Sequence, residues 1–143
     1  MKTTHLIKTT IALSLFSLTI NAANLNVTID KVNSSDGKIL AQVFKGKENY
    51  KNGKPESSLI IPAKKGENTF SFQNLEHGEY AVRLFHDINN NNDLDTNVFG
   101  MPTEGYGFSN QAVGNFGPAK YKDMVVVIAD DTVSVDTKVK MIY

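Results

Sequence analysis

The sequence predicts an all-β domain, a single seven-stranded antiparallel β-sandwich with one long ordered loop after the fifth strand. Three observations lead to this prediction. Apolar residues alternate with polar residues over short stretches, as in strands that are buried on one face. Clusters of Gly, Asn, Asp and Ser separate most of these stretches. Helical periodicity is nearly missing, and 143 residues are enough for one domain.

The chain begins with the features of a secretory signal peptide. Two lysines provide positive charge, and the uncharged, mostly apolar stretch 11–20 is too short for a membrane helix, which takes about 20 apolar residues. Small residues follow, and we expect cleavage after Ala22 or Ala23. The predicted organisation is therefore a signal peptide over 1–23 and one domain over 24–143; a buried N-terminal helix is the alternative.

Composition excludes several kinds of site and partner. Lys plus Arg and Asp plus Glu each total 15, so the chain lacks the basic excess that nucleic-acid phosphates require. The absence of cysteine rules out disulfides, thiolate nucleophiles, iron–sulfur clusters and Cys-based zinc sites. It also removes the attachment point of a bacterial lipid anchor. We therefore expect a soluble periplasmic or extracellular protein without nucleic-acid partners and without a membrane span after cleavage.

The first two predicted strands follow the signal peptide. Apolar residues at Leu25, Val27 and Ile29 alternate with polar ones, and residues 38–44 (KILAQVF) form the second stretch. The turn residues at 33–37 (NSSDG) lie between them, so the two strands are expected to pair as a hairpin.

The third and fourth predicted strands are residues 58–63 (SLIIPA) and 69–73 (TFSFQ), which flank a turn at 64–68 (KKGEN). They predict a second hairpin. The polar stretch 45–57, which precedes them, is expected to be a loop.

The last three predicted strands differ in pattern. Residues 80–86 place Tyr80, Val82 and Leu84 on one face, whereas 123–129 (DMVVVIA) is a continuous apolar run that indicates a buried strand. The final stretch, 132–142, returns to alternation.

Residues 87–122 form a long segment without a strand or helix pattern. Loops beyond about 12–15 residues are uncommon in compact domains and are usually functional or disordered. Interleaved glycines and aromatic residues indicate an ordered loop here, and we expect its aromatic side chains to anchor it: Phe99, Tyr106, Phe108, Phe116 and Tyr121.

Oxygen-bearing side chains at alternate positions of this loop predict a calcium site. They are Asp87, Asn89, Asn91, Asp93 and Asp95. Calcium takes six to eight oxygen ligands, and alternate residues of a tight turn point to the same side.

Two departures from an EF-hand-type loop qualify this prediction. Asn92 occupies the sixth position, where Gly is expected, although Asn also tolerates the left-handed conformation. Val98 occupies the twelfth position, so the bidentate Glu is missing, and Glu104 could fold back to replace it. The alternative is an Asn-rich loop without an ion, its side chains bonded to their own backbone. With calcium, we expect an affinity on the order of 10⁻⁴–10⁻³ M.

A second hypothesis uses His86 as a general acid–base with Asp87 or Glu104, as in a small hydrolase or isomerase. A histidine at a strand end more often packs against neighbours or bonds to a loop carbonyl. No GxSxG or HExxH motif is present. We therefore predict no catalytic residue.

Two aromatic residues between glycines indicate a surface for a ligand or partner. Tyr106 and Phe108, with Asn110 and His86 nearby in sequence, could contact a carbohydrate ring or an envelope protein. Alternatively, both rings fill the open end of the sandwich.

Residues 72–82 (FQNLEHGEYAV) resemble the F-x-x-L-x-x-G-x-Y-x-V signature of transthyretin-like and Cna-B-like sandwiches, so we expect a sandwich of the Ig-like or transthyretin-like kind. Together with Phe85-His86-Asp87, the Asn-rich stretch and residues 100–110 (GMPTEGYGFSN), the chain looks like the bacterial DUF2141 family over nearly all of 25–143.

The resemblance implies a secreted or periplasmic β-sandwich with no established activity. Family members commonly carry a D-x-N-x-N-G-x-x-D pattern, which this chain matches except that Asn92 replaces the Gly. Residues 141–143 (MIY) lack the terminal Tyr-Arg-Gly-Ser motif of the hydroxyisourate hydrolases, which share the broader architecture, so their catalysis is not implied.

The sequence thus favours a non-catalytic secreted or periplasmic module that binds calcium through the long loop and presents it to a ligand or partner. The hydrolase or isomerase is the alternative from another class. A purely structural surface component without an ion is the third.

Overall fold

The structure, a computed structural model, describes residues 22–115 and 117–143. Within these ranges it contains eight strands and two short α-helices, which confirms the all-β class. The predicted signal peptide lies outside the described residues except for Ala22 and Ala23. The strands are β1 (Ala23–Val32), β2 (Lys38–Lys45), β3 (Ser57–Pro62), β4 (Gly66–Leu75), β5 (Gly78–Asp87), β6 (Gly105–Phe108), β7 (Val126–Ile128) and β8 (Ser134–Lys140).

The strands form two sheets that enclose one hydrophobic core. One sheet has the order β4-β1-β8, and the other has the order β3-β2-β5-β6, with β7 also paired to β5. The inner faces alternate as the sequence indicates, so that every second residue of a strand is buried. Prominent core residues are Leu25, Val27, Ile29, Ile39, Val43, Phe72, Tyr80, Val82, Leu84, Ile128 and Val139.

The prediction of seven antiparallel strands is wrong in two respects. The eighth strand, β6, lies within the segment predicted to lack strands, and β1 pairs with β8 in parallel. β6 alternates glycine with aromatic residues, so it lacks the apolar–polar pattern of a half-buried strand. Periodicity carries no information about the direction of a partner strand, and a parallel partner must come from far along the chain.

Both predicted hairpins are also wrong. β1 pairs with β4 and β8, whereas β2 pairs with β3 and β5, so each predicted pair is divided between the two sheets. Lys31 and Gly37, with φ of 67° and 69°, occupy the left-handed region where the chain leaves β1 and enters β2. Here turn residues mark a crossing between sheets, because burying two inner faces against each other outweighs pairing of sequence neighbours.

Three short helical turns complete the chain. α1 (Lys47–Lys51) lies in the stretch predicted as a loop, a 3-10 turn (Ser109–Gln111) follows β6, and α2 (Tyr121–Met124) precedes β7. None of the helices in the two described ranges is long and apolar enough to cross a membrane.

A second apolar cluster lies on the outer face of the five-stranded sheet. Ala81 and Phe108 belong to it, whereas Tyr80 and Val82, on either side of Ala81 in the chain, belong to the core between the sheets. Met124, Ala112 and Ala119 complete its buried part, and Tyr50, Tyr106 and Tyr121 pack against it. This cluster covers part of a sheet face that would otherwise be solvated.

Candidate functional site

Asp87 anchors the beginning of the Asn-rich loop. Its side chain is fully buried at the end of β5. The backbone N–H groups of Asn91 and Asn92 donate to Asp87 Oδ1 and Oδ2, each at 3.0 Å. Lys38 Nζ lies 3.4 Å from Oδ2, because Lys38 is the residue opposite Asp87 in the register of β2 and β5. The buried charge therefore has both a cation and hydrogen-bond donors.

Two asparagines and Asp95 come together across the loop. Asn89 Nδ2 donates to Asp95 Oδ2 at 2.6 Å, and Asn91 Nδ2 donates to Asp95 Oδ1 at 2.9 Å. The amide oxygens accept from the backbone two residues on, Asn89 Oδ1 from Asn91 N–H at 3.0 Å and Asn91 Oδ1 from Asp93 N–H at 2.9 Å. These are the local bonds that make Asn favourable in turns.

Glu104 folds back onto this loop from 16 residues beyond Ile88. Its side chain is buried, with 5% exposure. Oε1 accepts from Ile88 N–H at 2.8 Å and Oε2 accepts from Asp95 N–H at 3.1 Å. The Glu104 carboxylate therefore connects the two ends of the loop. The sequence allowed this position for Glu104 but did not determine it.

The remaining positions of the loop shape its backbone or are exposed to solvent. Asn90 and Asn92 have φ of 63° and 70°, so Asn92 adopts the left-handed conformation for which glycine is usual. Asp93 contributes its backbone N–H, while its side chain is exposed. Val98 is 94% exposed and takes no part in the cluster.

The donor chemistry of this loop suits calcium if the amide oxygens are included. Among residues 22–115 and 117–143, no group of three or more His, Cys, Asp or Glu side chains is arranged to hold a metal ion. The carboxylates of Asp87 and Glu104 accept backbone N–H groups, and that of Asp95 accepts the two asparagine side-chain amides, so an ion would also need the amide oxygens of Asn89 and Asn91. Each of these oxygens has two lone pairs and keeps one after accepting an N–H. An all-oxygen set of this kind is what calcium prefers.

His86 lies apart from these carboxylates. Its side chain is fully buried, and its Nε2 lies 2.7 Å from the carbonyl oxygen of Asp36. Because a carbonyl only accepts, Nε2 carries the proton, and in the neutral ring the Tyr143 hydroxyl donates to Nδ1 at 2.9 Å. The Tyr143 oxygen in turn accepts from Asn33 N–H at 3.0 Å. Both ring nitrogens are thus bonded to groups other than carboxylates.

The residues predicted to form a ligand surface divide into separate places. Asn110 is a connecting residue, since its N–H donates to Thr137 Oγ1 at 2.9 Å and its Nδ2 donates to the Val125 carbonyl at 2.6 Å. Phe108 is only 7% exposed, and its ring centre lies 6.0 Å from that of the half-buried Tyr106. His86 is inside the protein, so these four residues do not share one exposed surface.

Close packing explains the glycines beside these aromatic residues. A Cβ on Gly105 would lie 2.6 Å from Cζ of Tyr143, and a Cβ on Gly107 would meet Val139 Cγ1 and lie 2.9 Å from the Lys140 carbonyl oxygen. β6 therefore uses glycine to let the last residues of the chain pack over it.

Phe99 corrects one prediction about the long loop. It is 87% exposed and anchors nothing, and Met101 beside it is 61% exposed. Asn97 Oδ1 holds this tip by accepting from the N–H groups of Phe99 and Met101 at 2.9 and 3.1 Å. Phe116, another predicted anchor, lies outside the described residues.

An apolar groove, which alternation did not predict, crosses the outer face of the five-stranded sheet. It consists of two adjoining cavities of about 300 Å³ each, which share Leu40, Gln42, Phe85 and Leu94. We name it the outer groove. Its further lining includes Tyr50, Arg83, Tyr106, Phe108 and Pro118 in one cavity and Ser58, Ile60, Asn92 and Asp93 in the other. The sequence did contain a sign of this groove, because 38–44 and 80–86 carry apolar residues on both faces. An interpretation based on alternation alone assigns the outer face to solvent.

Comparison with known families identifies a matching family. The model of the family described as "Uncharacterized protein conserved in bacteria (DUF2141)" matches residues 27–136, which is most of the chain. No curated protein matches the chain, and no solved structure does.

Proposed function

This chain belongs to the DUF2141 family, and we propose that it is a non-catalytic secreted or periplasmic binding module whose 87–95 loop is stabilised by calcium. One observation carries the proposal. Hydrogen bonds link four oxygen-bearing residues of one short loop to one another and to Glu104, which folds back onto the loop; the four are Asp87, Asn89, Asn91 and Asp95.

The surrounding bonds support preorganisation of this donor set. Asp87 and Glu104 are buried and fixed by backbone N–H groups, so little side-chain entropy remains to be lost on binding. Asn92 supplies the left-handed residue that the tight turn needs. Calcium, when bound, would add a divalent charge among these oxygens and offset the repulsion between the carboxylates.

The size of the effect follows from the expected affinity. The loop already satisfies many of its polar groups internally, so the ion would stabilise a preformed turn rather than the fold as a whole. At a tenfold excess over its dissociation constant, calcium stabilises the native state by about 1.4 kcal/mol. For a domain of this size that corresponds to roughly 5 °C in Tm.

The loop also contributes residues to the outer groove. Leu94 lines both cavities of the outer groove, and Asn92 and Asp93 line one of them. A calcium-stabilised loop would therefore fix one wall of that groove. This connection links the ion to a binding role in the same module.

The alternative of a hydrolase or isomerase has no such support. His86 is buried, and its ring nitrogens bond to the Asp36 carbonyl and the Tyr143 hydroxyl rather than to Asp87 or Glu104. A general acid–base must reach the proton that it transfers.

Paired carboxylate variants test the calcium proposal. Asp95→Asn removes the carboxylate that bonds to both Asn89 and Asn91. Asp93→Asn is the matched control, because it removes the same charge from an exposed side chain two residues earlier in the sequence. We expect calcium to raise the Tm of the natural protein and of Asp93→Asn by roughly 5 °C relative to EDTA. Asp95→Asn should weaken calcium binding, measured by isothermal titration calorimetry, at least tenfold.

Two results would contradict the proposal. The first is an unchanged Tm at about 10 mM calcium, which is tenfold above the weakest expected dissociation constant. The second is an equal loss of calcium affinity in both variants, which would indicate general charge attraction rather than coordination. Magnesium at the same concentration controls for ionic strength.

A further inference from the structure

We infer that the outer groove binds an amphipathic carboxylate, a small molecule with one carboxylate on an unbranched apolar chain, such as a medium-chain fatty acid. The inference rests on the proposed function only in taking the module to be a binding protein. It does not require calcium. Two observations support it: an apolar row of side chains across four strands, and one arginine beside that row.

The apolar row follows from the strand register. Ile60 of β3 lies opposite Leu40 of β2, Leu40 lies opposite Phe85 of β5, and Phe85 lies opposite Tyr106 of β6. All four side chains belong to the face that points away from the core, where a sheet in contact with water normally carries polar residues. Ile60 is 62% exposed. Three inter-strand spacings give this row a length of about 14 Å, suited to an extended apolar chain.

A second row, parallel to the first, carries the polar groups. Ser58 lies opposite Gln42, Gln42 opposite Arg83, and Arg83 opposite Phe108. Arg83 is the only arginine in the sequence, and it lines the cavity beside Leu40 and Phe85. The groove therefore combines a long apolar strip with the cationic side chain of Arg83.

The guanidinium of Arg83 is held in position by an amide oxygen and an aromatic ring. Its Nε donates to Gln42 Oε1 at 2.9 Å, and its Cζ lies 4.7 Å from the centre of the Phe44 ring. In the described parts of the chain Arg83 forms no ion pair with a carboxylate. A fixed, partly desolvated guanidinium matches the planar, bidentate geometry of a carboxylate. Its charge therefore favours an anionic group on the ligand.

The walls of the groove set the orientation of such a ligand. Leu94 lines both cavities, and Tyr50 and Pro118 line the cavity that contains Arg83. Asp93 lines the other cavity, where its negative charge disfavours a second anion. The carboxylate would therefore lie at Arg83 and the apolar chain along Leu40 and Ile60. Each cavity, at about 300 Å³, lies at the lower end of the range for small-molecule sites, about 300–1,000 Å³.

Matched probes test the inference. Decanoate and 1-decanol share an apolar chain and differ in the charged group, and both are used below the concentration at which decanoate forms micelles. In calcium-free buffer, where decanoate forms no insoluble calcium salt, calorimetric titration of the full mature protein should show decanoate binding at least tenfold more tightly than 1-decanol. Amide chemical-shift changes should concentrate on β2, β5 and β6.

Variants separate the arginine from the apolar row. Arg83→Gln should reduce decanoate affinity to that of 1-decanol and leave 1-decanol binding unchanged. Lys138→Gln removes an exposed cation from β8, in the other sheet, and should change neither affinity. Leu40→Gln interrupts the apolar row and should weaken both probes. It keeps the inference testable if Arg83→Gln fails to fold.

Several outcomes would overturn the inference. They are no binding at millimolar decanoate, equal affinity for both probes, or an Arg83→Gln protein that binds decanoate as Lys138→Gln does. If an acetylated peptide with an apolar C-terminal residue and a free carboxylate binds more tightly than decanoate, the ligand is a protein C-terminus and the fatty-acid inference is wrong. The calcium response of the same samples separates the proposals: a calcium-induced Tm shift without decanoate selectivity refutes only the groove ligand, and the reverse refutes only the calcium loop.

Discussion

Asp87 and Glu104 show how single buried carboxylates organise a loop. Each accepts two backbone N–H groups, so together they fix both ends of residues 88–95. Charge-assisted bonds of this kind are stronger than neutral ones. The loop therefore owes its shape to two side chains that are 17 positions apart in the sequence.

A second arrangement at the residue scale joins the buried His86 to the half-exposed Tyr143. Tyr143→Phe removes the hydroxyl that bonds to His86 Nδ1 and Asn33 N–H. His86 Nδ1 then has no hydrogen-bond partner in a fully buried site. We therefore expect a loss of about 1–3 kcal/mol in the free energy of unfolding at neutral pH. Urea denaturation measures this quantity. An unchanged midpoint would mean that water replaces the hydroxyl.

The same variant gives a pH prediction. Burial raises the pKa of Tyr143 above its ordinary value, an effect that the bond from Asn33 partly offsets. A folded-state pKa above that of the unfolded chain contributes stability that is complete below about pH 10 and is lost as the pH rises through the folded-state pKa. The stability difference between the natural protein and Tyr143→Phe should therefore shrink above about pH 10. A difference that stays constant to alkaline pH would contradict the assignment.

At the scale of elements, β6 depends on its glycines. Gly107→Ala would place a Cβ against Val139 Cγ1 and the backbone carbonyl of Lys140, and backbone cannot move aside as a flexible side chain can. We expect a loss of about 3 kcal/mol in the free energy of unfolding, near the upper end for overpacking. Gly53→Ala is the control, since nothing lies near its Cβ and only its φ of 63° is unfavourable. It should cost about 1 kcal/mol. Equal costs in urea denaturation would show that β6 is not packed as described.

The elements also explain why some interpretations failed. Alternation located the inward residues of β1 and β2 but not their partners, and it gave no sign of β6, whose glycines resemble loop residues. The outer face of β2 and β5 carries Leu40 and Phe85, which strict alternation treats as the solvent side.

For the whole molecule, β1 bears on the proposed secretion. Ala23 is 1% exposed and lies opposite Leu75 of β4, so it is part of the sheet. Cleavage after Ala22 keeps this pairing, whereas cleavage after Ala23 removes it. We expect the mature protein from a periplasmic or culture fraction to begin at Ala23, as measured by intact-mass spectrometry. A mature chain that begins at Asn24, or a full-length chain, would contradict this prediction.

The arrangement of the two sheets brings together residues that are distant in sequence. β1 and β8 are adjacent, and the Asp36 carbonyl reaches His86 across 50 positions. The outer groove is likewise made by β2, β3, β5 and β6 together. Its apolar row exists only because the register aligns one residue from each strand.

The sequence by itself determined the all-β class, most strand positions, the inward-facing residues, the family and the oxygen-bearing loop, since alternation, turn residues and motifs are local patterns. Only the tertiary structure decided that β1 pairs with β4 and β8, that Glu104 closes the loop, that His86 faces Tyr143, and that Arg83 lies beside an apolar row. These features depend on which buried faces meet. That choice is made by packing between distant segments, and no local pattern records it.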